Sequence, residues 1–270
     1  MKPDAPDWIG GDVGELRRWR EAQPEVLNPV LPPDVTLHDV PVAEGGGIEC
    51  RPEGAVLGAV LHFHGGGFFV GSPNTHRCVG AWIAHALKRT VWLCPWPLAP
   101  EHVLPHQPEA AARLLRQACA RYKAPIVISG DSAGAMMALW AWSLASRELR
   151  KQVRSVLLLY GYFGLQSETD DEEGGLGRQS IAAMMDRLDP NGLFNAMPRC
   201  NPLSAGFPMA RRVVAVGAGA DPLLNNTVAL AGTHSSVRSI IAERCPHGFL
   251  STVLPSQAAM RALGHAAELV

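Results

Sequence analysis

The sequence predicts a three-layer α/β sandwich built on an eight-stranded, mostly parallel sheet. Short apolar segments rich in β-branched residues alternate with longer helical segments from about residue 56 to the C-terminus. Strands that alternate with helices in this way run parallel and are buried on both faces, so helices lie above and below the sheet. A length of 270 residues suits one such core. Because neither an internal repeat nor a linker divides the chain, we expect one domain over 1–270.

Before the alternation begins, the sequence predicts a helix and a hairpin. Residues 11–23 carry apolar side chains at helical spacing with arginines on the other side, which fits a surface helix on the core or a flap. The extended segments 35–42 and 47–51 flank a glycine-rich turn and predict a hairpin at one edge of the sheet. Later strands are expected at 56–64, 90–94, 124–131, 153–160, 212–216 and 237–243. Later helices are expected at 75–88, 108–122, from Ser132 to about 150, and 256–269.

One connection is much longer than the others. Residues 164–210 separate the sixth and seventh strands and contain an acidic run at 168–173 and a helical patch at 180–188. A connection of that length inside one domain is typical of a lid or of a partly disordered segment. The acidic run is best interpreted as a solvated loop.

Composition and charge exclude several classes of partner. A net charge of -1 and a pI near 6.8 leave no basic surface for nucleic acid and no polybasic edge for a membrane. No apolar run approaches the length of a membrane span, and the first residues lack the apolar core of a signal peptide. The six cysteines are scattered without paired spacing, as in reduced proteins. We therefore expect a soluble, cytoplasmic protein that acts on a small molecule, and we leave a homodimer open.

A Gly-Asp-Ser-Ala-Gly motif at 130–134 lies directly between an apolar strand and a helical segment. In a Gly-x-Ser-x-Gly turn the serine occupies a strained position at the tip of the strand, and small residues let the strand and the helix approach closely. The five-residue pattern alone also fits an ordinary glycine-rich loop. Because both flanking elements are those that the mechanism requires, Ser132 is the candidate nucleophile.

Three further features fall at the carboxyl ends of predicted strands, where α/β folds bind ligands. They are a His-Gly-Gly-Gly-Phe segment at 64–68, Asp221 and His247. Together with Ser132 they give the chain order serine, acid, histidine of a hydrolase triad. A serine hydroxyl needs a neutral imidazole to take its proton, and that imidazole needs a carboxylate to fix its tautomer. We assign these roles to His247 and Asp221.

The glycine segment predicts an oxyanion hole. A tetrahedral intermediate carries a negative oxygen that preorganised backbone N–H groups stabilise. We expect Gly66 and Gly67 to donate two of these groups, and Ala133 to donate a third from the positive end of its helix. Phe68 and Phe69 are expected to contact the substrate.

With these motifs in place, the chain resembles the hormone-sensitive-lipase-like family of α/β hydrolases. The resemblance covers about 55–250, and it implies a bacterial esterase of the acetyl esterase type, with no metal or organic cofactor. It implies the same triad and oxyanion-hole residues, and a small helical cap built from about 1–33 and 164–210. The motifs that carry it are His-Gly-Gly-Gly-Phe at 64–68, Leu-Ala-Pro-Glu-His at 98–102, Gly-Asp-Ser-Ala-Gly at 130–134, Asp-Pro-Leu at 221–223 and His-Gly-Phe at 247–249.

The chain departs from the family pattern in two places. Family members usually carry Asp-Tyr-Arg before Leu-Ala-Pro-Glu, whereas this chain carries Pro-Trp-Pro at 95–97. This segment therefore cannot supply the charged contacts that steady the glycine loop in the family. The stretch from Asp221 to His247 is also a few residues shorter than usual, which alters one wall of the expected pocket.

Rival functions remain open on the same residues. The triad opens an amide if His247 protonates the leaving nitrogen, which would make the protein an amidase or formamidase. The fold also serves as a ligand-binding receptor where turnover is absent. A metal site on His62 and His64 is disfavoured because no close acidic or thiolate group completes it. The modest apolar content of 164–210 leaves little lining for a long channel, so we expect hydrolysis of esters with short acyl chains.

Overall fold

An eight-stranded sheet runs through the chain. The computed structural model describes residues 6–123 and 125–270. The strands are β1 (Val35–Asp39), β2 (Ile48–Pro52), β3 (Ala59–Phe63), β4 (Thr90–Cys94), β5 (Ile126–Asp131), β6 (Val153–Leu159), β7 (Val213–Ala218) and β8 (Val237–Ala242). They lie side by side in the order β1-β2-β4-β3-β5-β6-β7-β8.

The predicted hairpin forms one edge of this sheet. β1 pairs antiparallel with β2, and β2 pairs antiparallel with β4. All pairs among β3 to β8 are parallel. The predicted α/β sandwich with an eight-stranded, mostly parallel sheet is therefore confirmed. Because β3 to β8 run in the same direction, their carboxyl ends meet at one edge, where such folds bind ligands.

Helices cover both faces of the sheet. They are α1 (Val13–Glu21), α2 (Pro24–Leu27), α3 (Arg77–Leu87), α4 (His106–Arg121), α5 (Ala133–Ser143), α6 (Arg147–Gln152), α7 (Arg178–Leu188), α8 (Leu193–Ala196), α9 (Leu224–Thr233) and α10 (Gln257–Leu269). One buried cluster joins the sheet to α3 and α10, and a second joins it to α4 and α5. In β3, Val60 belongs to the first cluster, whereas Leu61 and Phe63 belong to the second, since alternate residues of a strand share a face.

Some elements differ from those expected. The helix expected from Ser132 to about 150 is broken into α5 and α6, because Ser146 has an extended backbone and its side chain accepts the N–H of Leu149 as a new N-cap. The structure adds α9 between β7 and β8, since parallel strands need a crossover. Residues 1–5 of the expected cap and Ala124 in the fifth expected strand lie outside the described residues.

The structure shows the state of the cysteines and the character of the helices, for which the composition gave expectations. All six cysteines are free thiols and five of them are buried, as residues that pack in the core are. Across the two described stretches of chain, no helix has both the length and the apolar character that crossing a membrane requires.

A buried carboxylate joins the edge hairpin to the helical layer. Glu49 in β2 is 2% exposed. Its Oε1 accepts hydrogen bonds from Tyr122 and from Arg121 at the end of α4, and its Oε2 accepts two from Arg51. Burial by itself would raise the pKa of Glu49, but these donors hold the pKa below its usual value. Glu49 is therefore ionised, and its contribution to stability depends on all of its partners.

We predict that Glu49→Gln lowers the free energy of unfolding by about 2–4 kcal/mol, because the amide leaves the guanidinium groups without their counter-charge. The difference in unfolding free energy between the parent and Glu49→Gln should decrease as the pH falls below 4.5, the usual Glu value. A carboxyl whose pKa is lowered in the folded state stabilises that state fully above this pH and less below it. Urea denaturation at several pH values measures both effects. Glu53→Gln, on an exposed residue beside β2, should change stability by less than about 0.5 kcal/mol. Equal losses from the two substitutions would contradict the prediction.

Candidate active site

The backbone turns sharply at Ser132, between β5 and α5. Ser132 has φ 51° and ψ -121°, which residues other than glycine rarely adopt. Its N–H donates to the carbonyl of Leu159 at 3.0 Å, and its own carbonyl accepts the N–H of Tyr162 at 3.1 Å. The chain at the end of β6 therefore holds the turn, and the serine lies at the carboxyl edge of the sheet.

Two glycines make this turn sterically allowed. A Cβ on Gly134 would lie 2.0 Å from the carbonyl oxygen of Phe63 in β3, and a Cβ on Gly130 would lie 2.0 Å from the carbonyl oxygen of Gly134. Since interiors are close-packed, no side chain fits at either position without moving the backbone. The Gly-x-Ser-x-Gly spacing thus lets α5 start in contact with β3.

Ser132, His247 and Asp221 form one chain of hydrogen bonds. Nε2 of His247 lies 2.9 Å from Oγ of Ser132, and Nδ1 lies 2.7 Å from Oδ2 of Asp221. Because a carboxylate only accepts, Nδ1 carries the proton and Nε2 is left to accept the serine hydroxyl. Oδ1 of Asp221 accepts the N–H of Leu223 at 2.8 Å, which fixes the carboxylate plane. The structure therefore brings together the three residues that the sequence assigned to a triad.

Backbone contacts set the spacing between the Asp221 and His247 loops. The N–H of Gly219 donates to the carbonyl of Ala242, and that of Ala220 donates to the carbonyl of Cys245, each at 2.9 Å. Tyr160 packs its ring edge-on against the imidazole of His247, with centroids 5.2 Å apart. The shorter connection noted in the sequence is thus compatible with a closed triad.

The glycine loop after β3 passes close to the serine. A Cβ on Gly65 would lie 3.1 Å from the Cβ of Ser132. Gly66, Gly67 and Phe68 follow with φ values of 118°, 59° and 69°. Within the described part of the chain, the N–H groups of Gly66 and Gly67 donate to no acceptor. The N–H of Ala133 opens α5 and has no partner inside the helix.

A buried carboxylate anchors the start of the glycine loop. Asp131 is 2% exposed, and its Oδ1 accepts the N–H of Gly65 and the Nε2–H of His62, both at 3.0 Å. Nε2 of His76 lies 3.4 Å from Oδ2 of the same carboxylate. Burial by itself would raise the pKa of Asp131, but the imidazoles of His76 and His62 hold it below its usual range. Asp131 therefore stays ionised directly before the candidate nucleophile in the chain.

The two histidines at the end of β3, His62 and His64, are buried and make contacts with neighbouring side chains. His62 is fully buried between Ser129 and Asp131, with Nδ1 3.1 Å from Oγ of Ser129. Burial lowers the pKa of His64 to about 3, so its imidazole is neutral, and it stacks on Trp96 with centroids 4.9 Å apart. Among the residues that the structure describes, no three metal-ligating side chains form a cluster.

A cavity of about 330 Å³ lies over Ser132. Its volume is at the small end of the ~300–1,000 Å³ usual for ligand pockets, and its walls are mainly apolar and aromatic. A Cβ on Gly67 would lie 3.3 Å from Sδ of Met184, so this methionine covers the glycine loop. The N-terminal segment and the 164–210 connection supply walls from two sides, with Trp8 and Trp19 from the former and Leu176, Ile181 and Met184 from the latter.

The two phenylalanines that follow the glycines lie in different places. Phe69 lines the cavity. Phe68 is fully buried against the rings of Trp140 and Trp96, and it is absent from the cavity wall. The expectation of substrate contact therefore stands for Phe69 and is wrong for Phe68. Phe68 has a positive φ, and its side chain packs in the core.

Sequence reasoning does not identify the remaining residues around Ser132. Trp8 lies before the first helix and His76 follows the glycine loop, and no spacing pattern links either of them to the triad. The only available signal is the aromatic content of the N-terminal segment. Their places depend on contacts between parts of the chain that are distant in sequence.

Comparisons with known proteins bear on the family and the fold of the chain. A family model described as alpha/beta hydrolase fold matches residues 60–251. An esterase of Acinetobacter venetianus is 33% identical over 147 residues, which are 50% of this chain and 48% of that protein. The chain thus spans about half the length of this relative.

Solved structures share the fold over nearly the whole chain. An esterase of Pyrobaculum calidifontis has a TM-score of 0.79 at 21% identity, covering 96% of this chain and 92% of that one. An esterase described as a member of the bacterial hormone-sensitive lipase family has a TM-score of 0.79 at 20% identity, covering 95% and 90%. Together with the family model, these structures confirm the predicted α/β-hydrolase fold.

We predict that Gly134→Ala destabilises the protein by about 3 kcal/mol or more, because the new methyl group would collide with the carbonyl of Phe63. The control is Gly264→Ala in α10, where a Cβ meets nothing within 4 Å. There the higher helix propensity of alanine should leave stability equal or raise it by up to about 1 kcal/mol. Urea denaturation compares the two. A Gly134→Ala protein as stable as the parent would show that α5 and β3 are not in close contact.

Proposed function

Since the chain belongs to the α/β-hydrolase fold family, we propose that it is a serine hydrolase that cleaves short-chain carboxylic esters through an acyl-enzyme. The observation that carries the proposal is the unbroken hydrogen-bond chain Ser132–His247–Asp221 at the base of a small apolar cavity. The esterases among its relatives and structural neighbours favour esters as substrates.

The first half of the reaction acylates the serine. Oγ of Ser132 attacks the ester carbonyl carbon while Nε2 of His247 takes the hydroxyl proton. Asp221 stabilises the imidazolium that results, through the 2.7 Å contact with Nδ1. The carbon–oxygen bond to the alcohol then breaks, and the leaving alkoxide takes the proton back from His247. A covalent ester on Ser132 and a free alcohol are left.

The second half repeats these steps with water. His247 accepts a proton from the water molecule as its oxygen attacks the acyl carbon. The new tetrahedral intermediate collapses, Oγ of Ser132 leaves and is protonated by His247, and a carboxylic acid is released. The net reaction consumes one ester and one water and yields an acid and an alcohol.

Each tetrahedral intermediate needs donors for its negative oxygen. The N–H groups of Gly66 and Gly67 have no acceptor among the described residues, and the N–H of Ala133 begins α5. Preorganised N–H groups and a helix N-terminus favour charge that develops only in the transition state. We therefore assign the oxyanion hole to these three residues.

The size and covering of the cavity support short acyl chains. Its volume of about 330 Å³ is small, and apolar side chains from 164–210 and from the N-terminal segment line it. Each methylene adds about 0.8 kcal/mol only where a dry apolar wall receives it. Longer chains would project from the cavity into water and gain nothing.

We predict that Ser132→Ala and Asp221→Asn lower kcat for p-nitrophenyl butanoate by at least about 10³-fold, because each removes one step of proton transfer or orientation. The thermal unfolding temperature of Ser132→Ala should match that of the parent, since alanine fits the same turn. A fluorophosphonate probe should label the parent and not Ser132→Ala. Turnover within about tenfold of the parent would remove Ser132 from the mechanism.

The same assays separate the rival functions. If an anilide of butanoic acid is cleaved with a higher kcat/KM than the matching ester, the protein is an amidase. If the folded parent neither turns over esters nor reacts with the fluorophosphonate, it is a binding protein that keeps the fold.

We predict an optimum at about four to six acyl carbons in a p-nitrophenyl ester series from two to sixteen carbons. Met184→Ala should move the optimum up by about two carbons, because Met184 covers Gly67 at the cavity wall. The control is Met185→Ala, whose side chain is on the same helix but does not line the cavity. It should leave the optimum where it is. An optimum at ten carbons or longer in the parent would refute the short-chain proposal.

A further inference from the structure

We propose that Arg17 in the N-terminal helix α1 is a positioning residue that holds the glycine loop in the geometry of the oxyanion hole. The inference rests on the proposed ester hydrolysis, because the loop matters only where an oxyanion forms. Arg17 is not among the residues that line the cavity over Ser132, so we infer that it acts through the backbone of the loop.

The guanidinium of Arg17 binds two segments at once. Its Nε donates to the carbonyl of Phe69 at 2.8 Å, at the end of the glycine loop. Its Nη2 donates to the carbonyl of Ala99 at 2.9 Å. The two carboxylate oxygens of Glu101 accept the remaining bonds, from Nη1 at 2.8 Å and from Nη2 at 2.7 Å. Arg17 thus ties the glycine loop to the 98–102 segment.

The glycine loop needs external anchors because its own sequence gives it freedom. Gly66 and Gly67 have left-handed backbones and no side chains that pack, so the direction of their N–H groups depends on what holds the loop. One anchor is Asp131, on the N–H of Gly65. A second is the N–H of Ala99, which donates to the carbonyl of Phe68 at 2.8 Å.

Arg17 supplies the third anchor. Within the described ranges, the carbonyl of Phe69 accepts a hydrogen bond from Arg17 alone. The Pro-Trp-Pro segment at 95–97 carries no charged side chain that could do so from beneath the loop. Without Arg17, the loop backbone would still be held at Gly65 and at Phe68, but the carbonyl of Phe69 would lose its hydrogen-bond donor.

Glu101 keeps the guanidinium in the required plane. The bidentate pair fixes both the position and the rotation of Arg17, which a lysine at this place could not reproduce. The Arg17 guanidinium also lowers the pKa of Glu101 to about 2, so the pair stays charged at any pH at which a neutral imidazole base works. The same helix is tied to the chain after the loop by Glu21, which accepts bonds from Ser72 and Asn74.

The test is a kinetic comparison of Arg17→Ala, Arg17→Lys and Glu101→Gln with the parent on p-nitrophenyl butanoate, with active sites counted by phosphonate titration. We expect kcat per active site to fall by about tenfold to hundredfold in Arg17→Ala, less in the other two variants, and KM to stay within about twofold. Displaced oxyanion donors weaken binding of the transition state but not of the substrate.

A second readout separates positioning from stability. With a trifluoromethyl ketone as inhibitor, Oγ of Ser132 adds to the ketone carbon and its proton passes to His247. The product is a tetrahedral adduct with a negative oxygen. Its inhibition constant should rise across the variants in proportion to the loss in kcat/KM. Methylguanidinium in the solvent should restore part of the activity of Arg17→Ala, because the vacated space is partly open to water, Arg17 being 31% exposed.

The control is Arg18→Ala on the same helix. Arg18 is 73% exposed and lies 3.9 Å from Glu15, so its removal should leave kcat and the inhibition constant unchanged. If Arg17→Ala and Glu101→Gln match Arg18→Ala in both measurements, the positioning role is wrong. If the parent hydrolyses no ester in the same assays, it is the proposed function that fails.

Discussion

The candidate active site depends on one steric constraint, the contact between the start of α5 and the end of β3. Gly134 and Phe63 approach so closely that a single methyl group would collide with a carbonyl oxygen. This contact forces the chain to turn within one residue, which puts Ser132 in a left-handed conformation. It also points the first N–H groups of a helix at the space beside the serine, where negative charge is stabilised. Packing, backbone strain and the position of the candidate nucleophile are therefore consequences of the same close approach.

The electrostatics around this turn are unusual because an ionised carboxylate lies next to the proposed oxyanion hole. Asp131 fixes Gly65 through a hydrogen bond, yet its negative charge would repel a developing oxyanion if nothing offset it. The imidazoles of His62 and His76 lie at 3.0 and 3.4 Å from its two oxygens and spread that charge over a buried network. Asp131 thus anchors the glycine loop, and the two imidazoles offset its charge. A hydrophobic residue at any of these three positions could do neither.

The site is assembled from distant parts of the chain, and its rigid and adaptable parts are distinct. Ser132 and the glycine loop follow β5 and β3 in the middle of the sheet, and Asp221 and His247 follow β7 and β8 toward one edge. Backbone hydrogen bonds connect these loops to one another and to the sheet. The walls come from the N-terminal segment and the 164–210 connection, which meet where Arg187 donates to the carbonyls of Trp8 and Ile9. Its guanidinium also lies 4.9 Å from the ring of Phe69. The proposed triad and the cavity walls therefore lie on different elements, and the walls could change without moving the triad.

The sequence alone determined the fold class, all eight strands and the candidate triad, because these follow from local patterns. The periodicities of strands and helices depend on residues that are close in sequence. Ser132 and His247 lie in short motifs that follow predicted strands. Only the tertiary structure decided that Phe68 packs in the core, that Met184 covers the glycine loop and that Arg17 binds the carbonyl of Phe69. Those positions depend on contacts between segments tens of residues apart. Such contacts are set by how whole elements pack, which no local spacing encodes.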